Sequence, residues 1–502
     1  MFLRRSEKEN KSNIIIILMF ELDGKVVRSR RSALSIHVKA CILLIIITAI
    51  TFIFLINHCR TALPSNVDPW VIEHVLRGEE TPIWVYTWIG AKLPRSFEVW
   101  RFDTFEIAVG YVDNIHTLLE IARNAWYVGG LDMYVFAPPR LPVYFPRSDA
   151  ENASKVNYLV KIHNPYMVYN GTNVTIAVLD TGIDYLSPIY YTHCIVKTKY
   201  THIIAMVSFV VGRIVIWSLK YWEEGKNVSL SKLPQWEEKL YSVYGIYPFM
   251  DVVGHGSAVT SVIVGQPCYY PGFSGVAPGA RIVMLKVFPD NDTTSIITLI
   301  EALHWLYFHY KEYNIKIVSM SLNAFEPSYG TLANPINIIL QHLAEKGLII
   351  LVAAGNEGNF PGSLDVIGNA PNVYLVGAWN PIHWKIAYFT SMPTIGQHPI
   401  NFLGVGYMVW SYVPNDTVIY YIVKKYVPYL IVNANKGILL LSGTSLATPA
   451  IAGVLADWYQ WYVEHYHHDP SPSTLIRIAC SRGYITGRIP LIVSCGLVRA
   501  PK

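Results

Sequence analysis

Apolar runs of strand length recur through the middle of the chain: VTIAVL (174–179), RIVMLKVF (281–288), IKIVSMSL (315–322), LIILVAAG (348–355) and NVYLVGAW (372–379). None alternates with polar residues, and continuous runs of this length suit strands buried on both faces. Between them the apolar positions follow a helical period. From Thr294 onward, Ile296, Leu299, Ile300, Leu303, Leu306, Tyr307 and Tyr310 fall on one face. A second such stretch, Pro335–Lys346, stops at Gly347, a residue type that ends helices. Strand alternating with helix predicts an α/β fold, a mostly parallel sheet with helices on both faces.

Upstream the pattern changes. PIWVYTW (82–88) and FEVWRFDTFEIAVGYV (97–112) read as strands, and NIHTLLEIARNAW (114–126) as a helix with Ile115, Leu118, Leu119, Ile121 and Ala122 in its apolar stripe. A last strand, MYVF (133–136), ends at Ala137-Pro138-Pro139. This predicts a small α+β unit over 81–145, closed by the linker RLPVYFPRSDAENAS and preceded by a short stalk at 57–80. The larger unit then runs from 146 to 502. Before the stalk, residues 40–56 carry no charge and as a helix would reach about 25 Å, near the lower limit for a bilayer. Arg28, Arg30, Arg31 and Lys39 precede this segment, which predicts a cytoplasmic 1–39, a transmembrane helix and an exported remainder. A cleaved signal segment, with secretion of the rest, is the alternative. The earlier run Ile14–Phe20 is too short to span and reads as translation beginning at Met19.

Composition sharpens this picture. Hydrophobic residues make up 52% of the chain and charged ones 15%, with a mean hydropathy of +0.30. The net charge of +5 is local: residues 1–60 hold 10 of the 40 Lys and Arg and 4 of the 35 Asp and Glu, leaving 30 against 31. A basic nucleic-acid-binding face is thereby excluded. Cys41 lies in the apolar segment; the other cysteines show no metal-type spacing, and Cys480 and Cys495 could pair. Asn152, Asn170, Asn173, Asn227, Asn291 and Asn415 stand in N-x-S/T sequons, consistent with an external location.

The candidate chemistry sits at the ends of the buried runs. In VTIAVLDTGID, Asp180 ends a strand and enters the crevice where parallel sheets bind ligands. A carboxylate there can accept from a histidine ring and hold its tautomer, although capping a turn is the commoner work of such an Asp. In DVVGHGSAVTSVIVG, His255 lies between glycines at a helix start and is a natural general base near neutral pH; by itself it reads as a structural histidine. In LSGTSLATPAIAGVLADWYQWY, Ser445 enters a long helix after a Gly-Thr turn, with Pro449 in or near the first turn. An N-cap serine would look similar, but G-T-S-x-A-x-P recurs by chance in about one chain in a thousand of this length. In LIILVAAGNEGN, Asn356 follows a strand and a glycine, where its amide can donate to an oxyanion; its other reading is a left-handed turn.

In the order Asp, His, Asn, Ser, these blocks resemble the subtilisin-like serine protease (subtilase) family. The resemblance covers about residues 165–500 and takes in GVAPGARIVMLKVF, SMSL, NVYLVGAW and the terminal CGLVRA. It implies a catalytic triad of Asp180, His255 and Ser445, an oxyanion donor at Asn356, and a substrate cleft bordered by Ser321 and Leu322, where a peptide adds as a strand. It also implies that 81–145 is a propeptide-like chaperone and inhibitor. No cofactor enters such chemistry; a structural calcium ion is compatible with the resemblance, but no carboxylate cluster here marks a site, and no metal ligands are assigned. The sequence departs from the family in an aromatic-rich insertion at about 190–247, in Ser257-Ala258 after His255-Gly256, and in Leu403-Gly404-Val405-Gly406 where Ala-Pro-Gly is usual. His465, His467, His468 and Asp469 read as the end of the Ser445 helix rather than as metal ligands, and Trp458, Tyr459, Trp461 and Tyr462 as packing residues. The expected function is a membrane-tethered or secreted serine endopeptidase acting on proteins or peptides. An inactive surface-binding or scaffold protein on the same fold is the alternative.

Overall fold

The computed structural model describes residues 64–131, 134–136, 145–290, 293–325, 334–364, 366–394, 397–489 and 492–502. The apolar segment 40–56 lies outside the described residues. Among them, no helix is long and apolar enough to cross a membrane.

The first elements are α1 (Pro69–Leu76), β1 (Thr81–Thr87), β2 (Glu98–Arg101), β3 (Glu106–Val112), α2 (Ile115–Arg123) and β4 (Tyr127–Gly130). The strands form an antiparallel sheet in the order β2-β3-β1-β4. Their period of two divides the side chains. Ile83, Val85, Ala108 and Val112 pack with Val71 and Val75 of α1 and with Leu118 and Ile121 of α2. Trp84, Ile107 and Val109 join the core of the larger body from the opposite side. The stretch read as a stalk therefore ends earlier, because α1 buries Val71 and Val75 in this unit. Asn114 caps α2 by accepting from Thr117 N.

β5 (Tyr134–Phe136) corrects the sequence reading. Its alternation suggests membership of the small sheet, yet its backbone pairs antiparallel with two strands of the larger body, described below. A three-residue strand carries too little pattern to choose its partner.

The larger body contains β6 (Thr175–Asp180), β7 (Ile203–Ser208), β8 (Val215–Ser218), α3 (Leu233–Tyr244), α4 (His255–Val264), β9 (Arg281–Lys286), β10 (Thr293–Ser295), α5 (Ile296–His309), β11 (Ile315–Met320), β12 (Asn323–Phe325), α6 (Pro335–Glu345), β13 (Ile349–Ala353), β14 (Val373–Asn380), β15 (Lys385–Ile386), β16 (Ile400–Val405), β17 (Val409–Tyr412), β18 (Ile431–Asn433), β19 (Ile438–Leu441), α7 (Thr444–Tyr466), α8 (Pro472–Arg482), β20 (Tyr484–Thr486) and β21 (Val493–Val498). Its main sheet runs β20-β21-β16-β14-β13-β11-β6-β9-β7-β8, with β15 paired to β14. From β21 to β7 every neighbouring pair is parallel; β8 and β20 close the edges antiparallel. Every residue of β6 and β13 is buried, so both faces are covered. α4 packs with α7, which crosses β11, β13, β14 and β16, and α5 packs with α6. β10, β5 and β12 make a separate three-stranded sheet in that order.

Cys480 and Cys495, which the sequence left as a possible pair, form a disulfide. A second, Cys194–Cys268, ties the insertion to the loop after α4; its partners lie 74 residues apart, beyond the reach of spacing rules.

Candidate active site

The parallel register brings the strand-end residues together. Leu179 of β6 lies opposite Met320 of β11, so Asp180 and Ser321 leave neighbouring strands side by side, about 4.8 Å apart across the sheet. β13 follows β11, and Asn356 leaves its end three residues after Ala353.

Asp180 is fully buried. Its Oδ1 accepts from Thr181 N at 2.8 Å and pairs with His255 Nδ1 at 2.8 Å. That contact holds the ring with its Nδ1 proton toward the carboxylate and Nε2 facing the other way. The neighbouring cation does not compete: Lys286, opposite Asp180 in β9, donates instead to Met250 O and Asp290 Oδ1. His255 is the first residue of α4, which begins after Gly254. Gly256 permits the close approach: a Cβ there would stand 2.1 Å from Gly182 O, in the turn that follows Asp180. Burial pushes the His255 pKa down, but the charge and hydrogen bond of Asp180 and the charge of Asp251 outweigh it, leaving the ring above its ordinary value.

Asp251 escaped the sequence reading. It is buried, accepting from Gly254 N and Thr181 Oγ1 with one oxygen and from Ser257 N with the other. Thr181 Oγ1 in turn accepts from Gly256 N at 2.8 Å. The carboxylate thus satisfies amides around the start of α4 and braces it against the Asp180 turn. Its place just ahead of a helix start is the signal that could have found it.

Ser445 is the second residue of α7, not its N-cap, which is Gly443. Its Oγ and His255 Nε2 are both buried, and neither has a hydrogen-bond partner in this structure. A buried polar atom left unpaired is costly unless a ligand or reaction uses it. Pro449 lies at the sixth position of α7, just past the first turn. Having no N–H, it cannot bond the carbonyl four residues back, that of Ser445. Ser321 Oγ donates to that carbonyl at 2.8 Å. Ser321 therefore supports the serine turn with its side chain, while Leu322, fully buried, continues into β12.

Asn356 Oδ1 accepts from Thr444 N at 2.8 Å and from Thr444 Oγ1 at 3.0 Å. Those bonds orient the amide so that Nδ2 is its donating end, 3.7 Å from where a Cβ of Gly443 would stand. A Cβ on Gly404 would meet Ala447 O at 2.4 Å, so α7 lies directly on β16.

Two further features could take a peptide. Between β10 and β12 lies β5, with Phe136 opposite both Thr293 and Asn323. A cleft of about 700 Å3 opens beside Asn356 and Glu357, with His383, Tyr388 and Tyr407 among its walls. The histidine run at the end of α7 does not converge: His465 bonds Trp461 O, His468 bonds the Asp469 carbonyl, and the Asp469 carboxylate pairs with Lys316. Among the described residues no group of three or more His, Cys, Asp or Glu could hold a metal ion.

Comparison with known proteins gives an independent line. The profile of the subtilase family matches residues 171–479. A cuticle-degrading serine protease of Arthrobotrys oligospora is 26% identical over 239 residues, 47% of this chain and 48% of that one. Subtilisin NAT of Bacillus subtilis subsp. natto is 26% identical over 212 residues, 42% and 46% of the two chains. The chain thus spans about half the length of the curated relatives it matches. Among solved structures, the CspB protease of Clostridium perfringens superposes with a TM-score of 0.52 at 16% identity, covering 70% of this chain and 97% of that one; at that identity the likeness concerns the fold.

Proposed function

The chain belongs to the subtilase family, and on that premise we propose that it is a serine endopeptidase that hydrolyses peptide bonds through an acyl-enzyme. Ser445 Oγ attacks the scissile carbonyl and His255 Nε2 takes its proton. Asp180 orients the ring and stabilises the imidazolium. Asn356 Nδ2 and the Ser445 N–H receive the oxyanion. On collapse of the tetrahedral intermediate, His255 returns the proton to the leaving amine, and water repeats the sequence to release the acid. The observation that carries this reading is the Asp180–His255 contact of 2.8 Å, with the far ring nitrogen and Ser445 Oγ both buried and unpartnered.

The substrate would add as a strand between β10 and β12, the place β5 takes here. That occupation supports a propeptide-like, inhibitory role for the small unit, which ends in β5. His342 of α6 stacks on Phe105 of that unit at 4.1 Å, and Lys346 pairs with Asp103 at 2.7 Å, so the unit is held along α6 as well as in the groove. Export, with residues 40–56 as an anchor or a cleaved signal, agrees with the two disulfides.

Casein zymography, with and without chelator, tests the reading. Clearing that survives chelation and vanishes in Ser445→Ala is the expected result. Clearing retained by Ser445→Ala, or abolished by the chelator in folded protein, would oppose it.

A further inference from the structure

Glu237 is a buried carboxylate that the chemistry above does not use. It lies on α3, inside the insertion, and is fully buried. A carboxylate withdrawn from water persists only where its bonds replace hydration. Here Oε1 accepts from Phe249 N at 2.7 Å and from Met250 N at 3.1 Å, and Oε2 accepts from Tyr185 OH.

The partners lie on the two segments that meet at the active site. Tyr185 follows Asp180 by five residues, while Phe249 and Met250 lead directly into Asp251 and thence to His255. The segments are bonded elsewhere too, by Ile183 N to Phe249 O at 3.0 Å and by Thr181 Oγ1 to Asp251 at 2.8 Å. Glu237 spans both from behind. A surface insertion kept only for coverage has no need of a buried carboxyl group at this junction.

We propose that Glu237 is a positioning residue: it clamps the turn after Asp180 to the segment before His255, so that the insertion sets the alignment of the Asp180–His255 pair. This inference rests on the acyl-enzyme reading of the previous subsection. An insertion with this role is part of the reaction's framework, which explains why it packs into the core through Leu230, Leu233 and Trp217 instead of standing out as a loop.

The test compares Glu237→Ala and Glu237→Gln with wild type in the full chain, using a chromogenic peptide and fluorophosphonate titration of active sites. Glu237→Ala is expected to lower kcat per titrated site at least about tenfold with KM within about twofold. Glu237→Gln, which keeps an acceptor for both amides, should recover kcat to within about threefold of wild type. A kcat per titrated site equal to wild type in Glu237→Ala, with only the melting temperature lowered, would overturn the proposal. If Glu237→Ala fails to fold, Tyr185→Phe decides: a fall in kcat of about threefold at unchanged KM supports the clamp, and wild-type kcat overturns it. Wild-type protein that is folded and never labels defeats the acyl-enzyme reading itself, a result distinct from any of these.

Discussion

Ser321 Oγ donates to the carbonyl of Ser445 at 2.8 Å, the one carbonyl of that turn which Pro449 deprives of its helical partner. A proline inside a helix normally costs stability by orphaning the carbonyl four residues back. Here the orphan is satisfied from the end of a neighbouring strand, so the Ser445 turn and the sheet are locked together.

Ser321→Ala should therefore leave a buried carbonyl unpaired and cost about 1–3 kcal/mol of stability, read from urea denaturation. In a Pro449→Ala background the restored amide can take over the carbonyl, and the same Ser321 substitution should cost well under half as much. Equal losses in both backgrounds would contradict the assignment.

Asp180→Asn should lower kcat by about four orders of magnitude, the scale expected when a triad carboxylate is lost and the wrong tautomer is favoured. Its pH profile carries a sign. Asp180 holds the His255 pKa above its ordinary value, and His255 acts as a base only when neutral, so activity rises as pH climbs through that pKa. Removing the carboxylate lets burial dominate, and the acidic limb of the residual kcat/KM should move to lower pH.

Asn356→Ala should reduce kcat by about 10²–10³ with little change in KM, because the lost donor acts on charge that develops in the transition state. Steady-state kinetics with a small peptide ester measure both constants.

Asp457, in the middle of α7, is buried with Oδ2 accepting from Asn164 Nδ2, and burial raises its pKa well above the usual carboxylate value. The folded state thus holds a proton that the unfolded chain releases near pH 3.9. Stability should fall as pH rises above that value, by up to about 1.4 kcal/mol per pH unit, until the folded carboxyl also ionises. Asp457→Asn removes this slope, and its stability relative to wild type in denaturation should rise with pH above the ordinary carboxylate range.

Much of this was legible from pattern. The runs at 174–179, 281–288, 315–322, 348–355 and 372–379 are strands of one parallel sheet, because a strand buried on both faces leaves no polar alternation to misread. Asp180, Asn356 and Ser445 were visible as polar residues at the ends of apolar runs. What escaped depends on long-range pairing. β5 pairs with β10 and β12 and not with the small sheet, and three residues of pattern are too few to select a partner strand. Glu237 is buried by segments distant in sequence and nothing local marks it, whereas Asp251 has a local mark in its place just ahead of a helix start. The bond from Ser321 Oγ to the Ser445 carbonyl joins residues 124 apart and has no mark in the sequence.

The most direct measurement is the site of covalent modification. Folded wild-type protein treated with a fluorophosphonate and analysed by intact mass and peptide mapping should gain one adduct, on Ser445, and Asp180→Asn and His255→Ala should slow its formation by orders of magnitude. An adduct on another residue, or labelling of Ser445 at an undiminished rate without His255, would contradict the account.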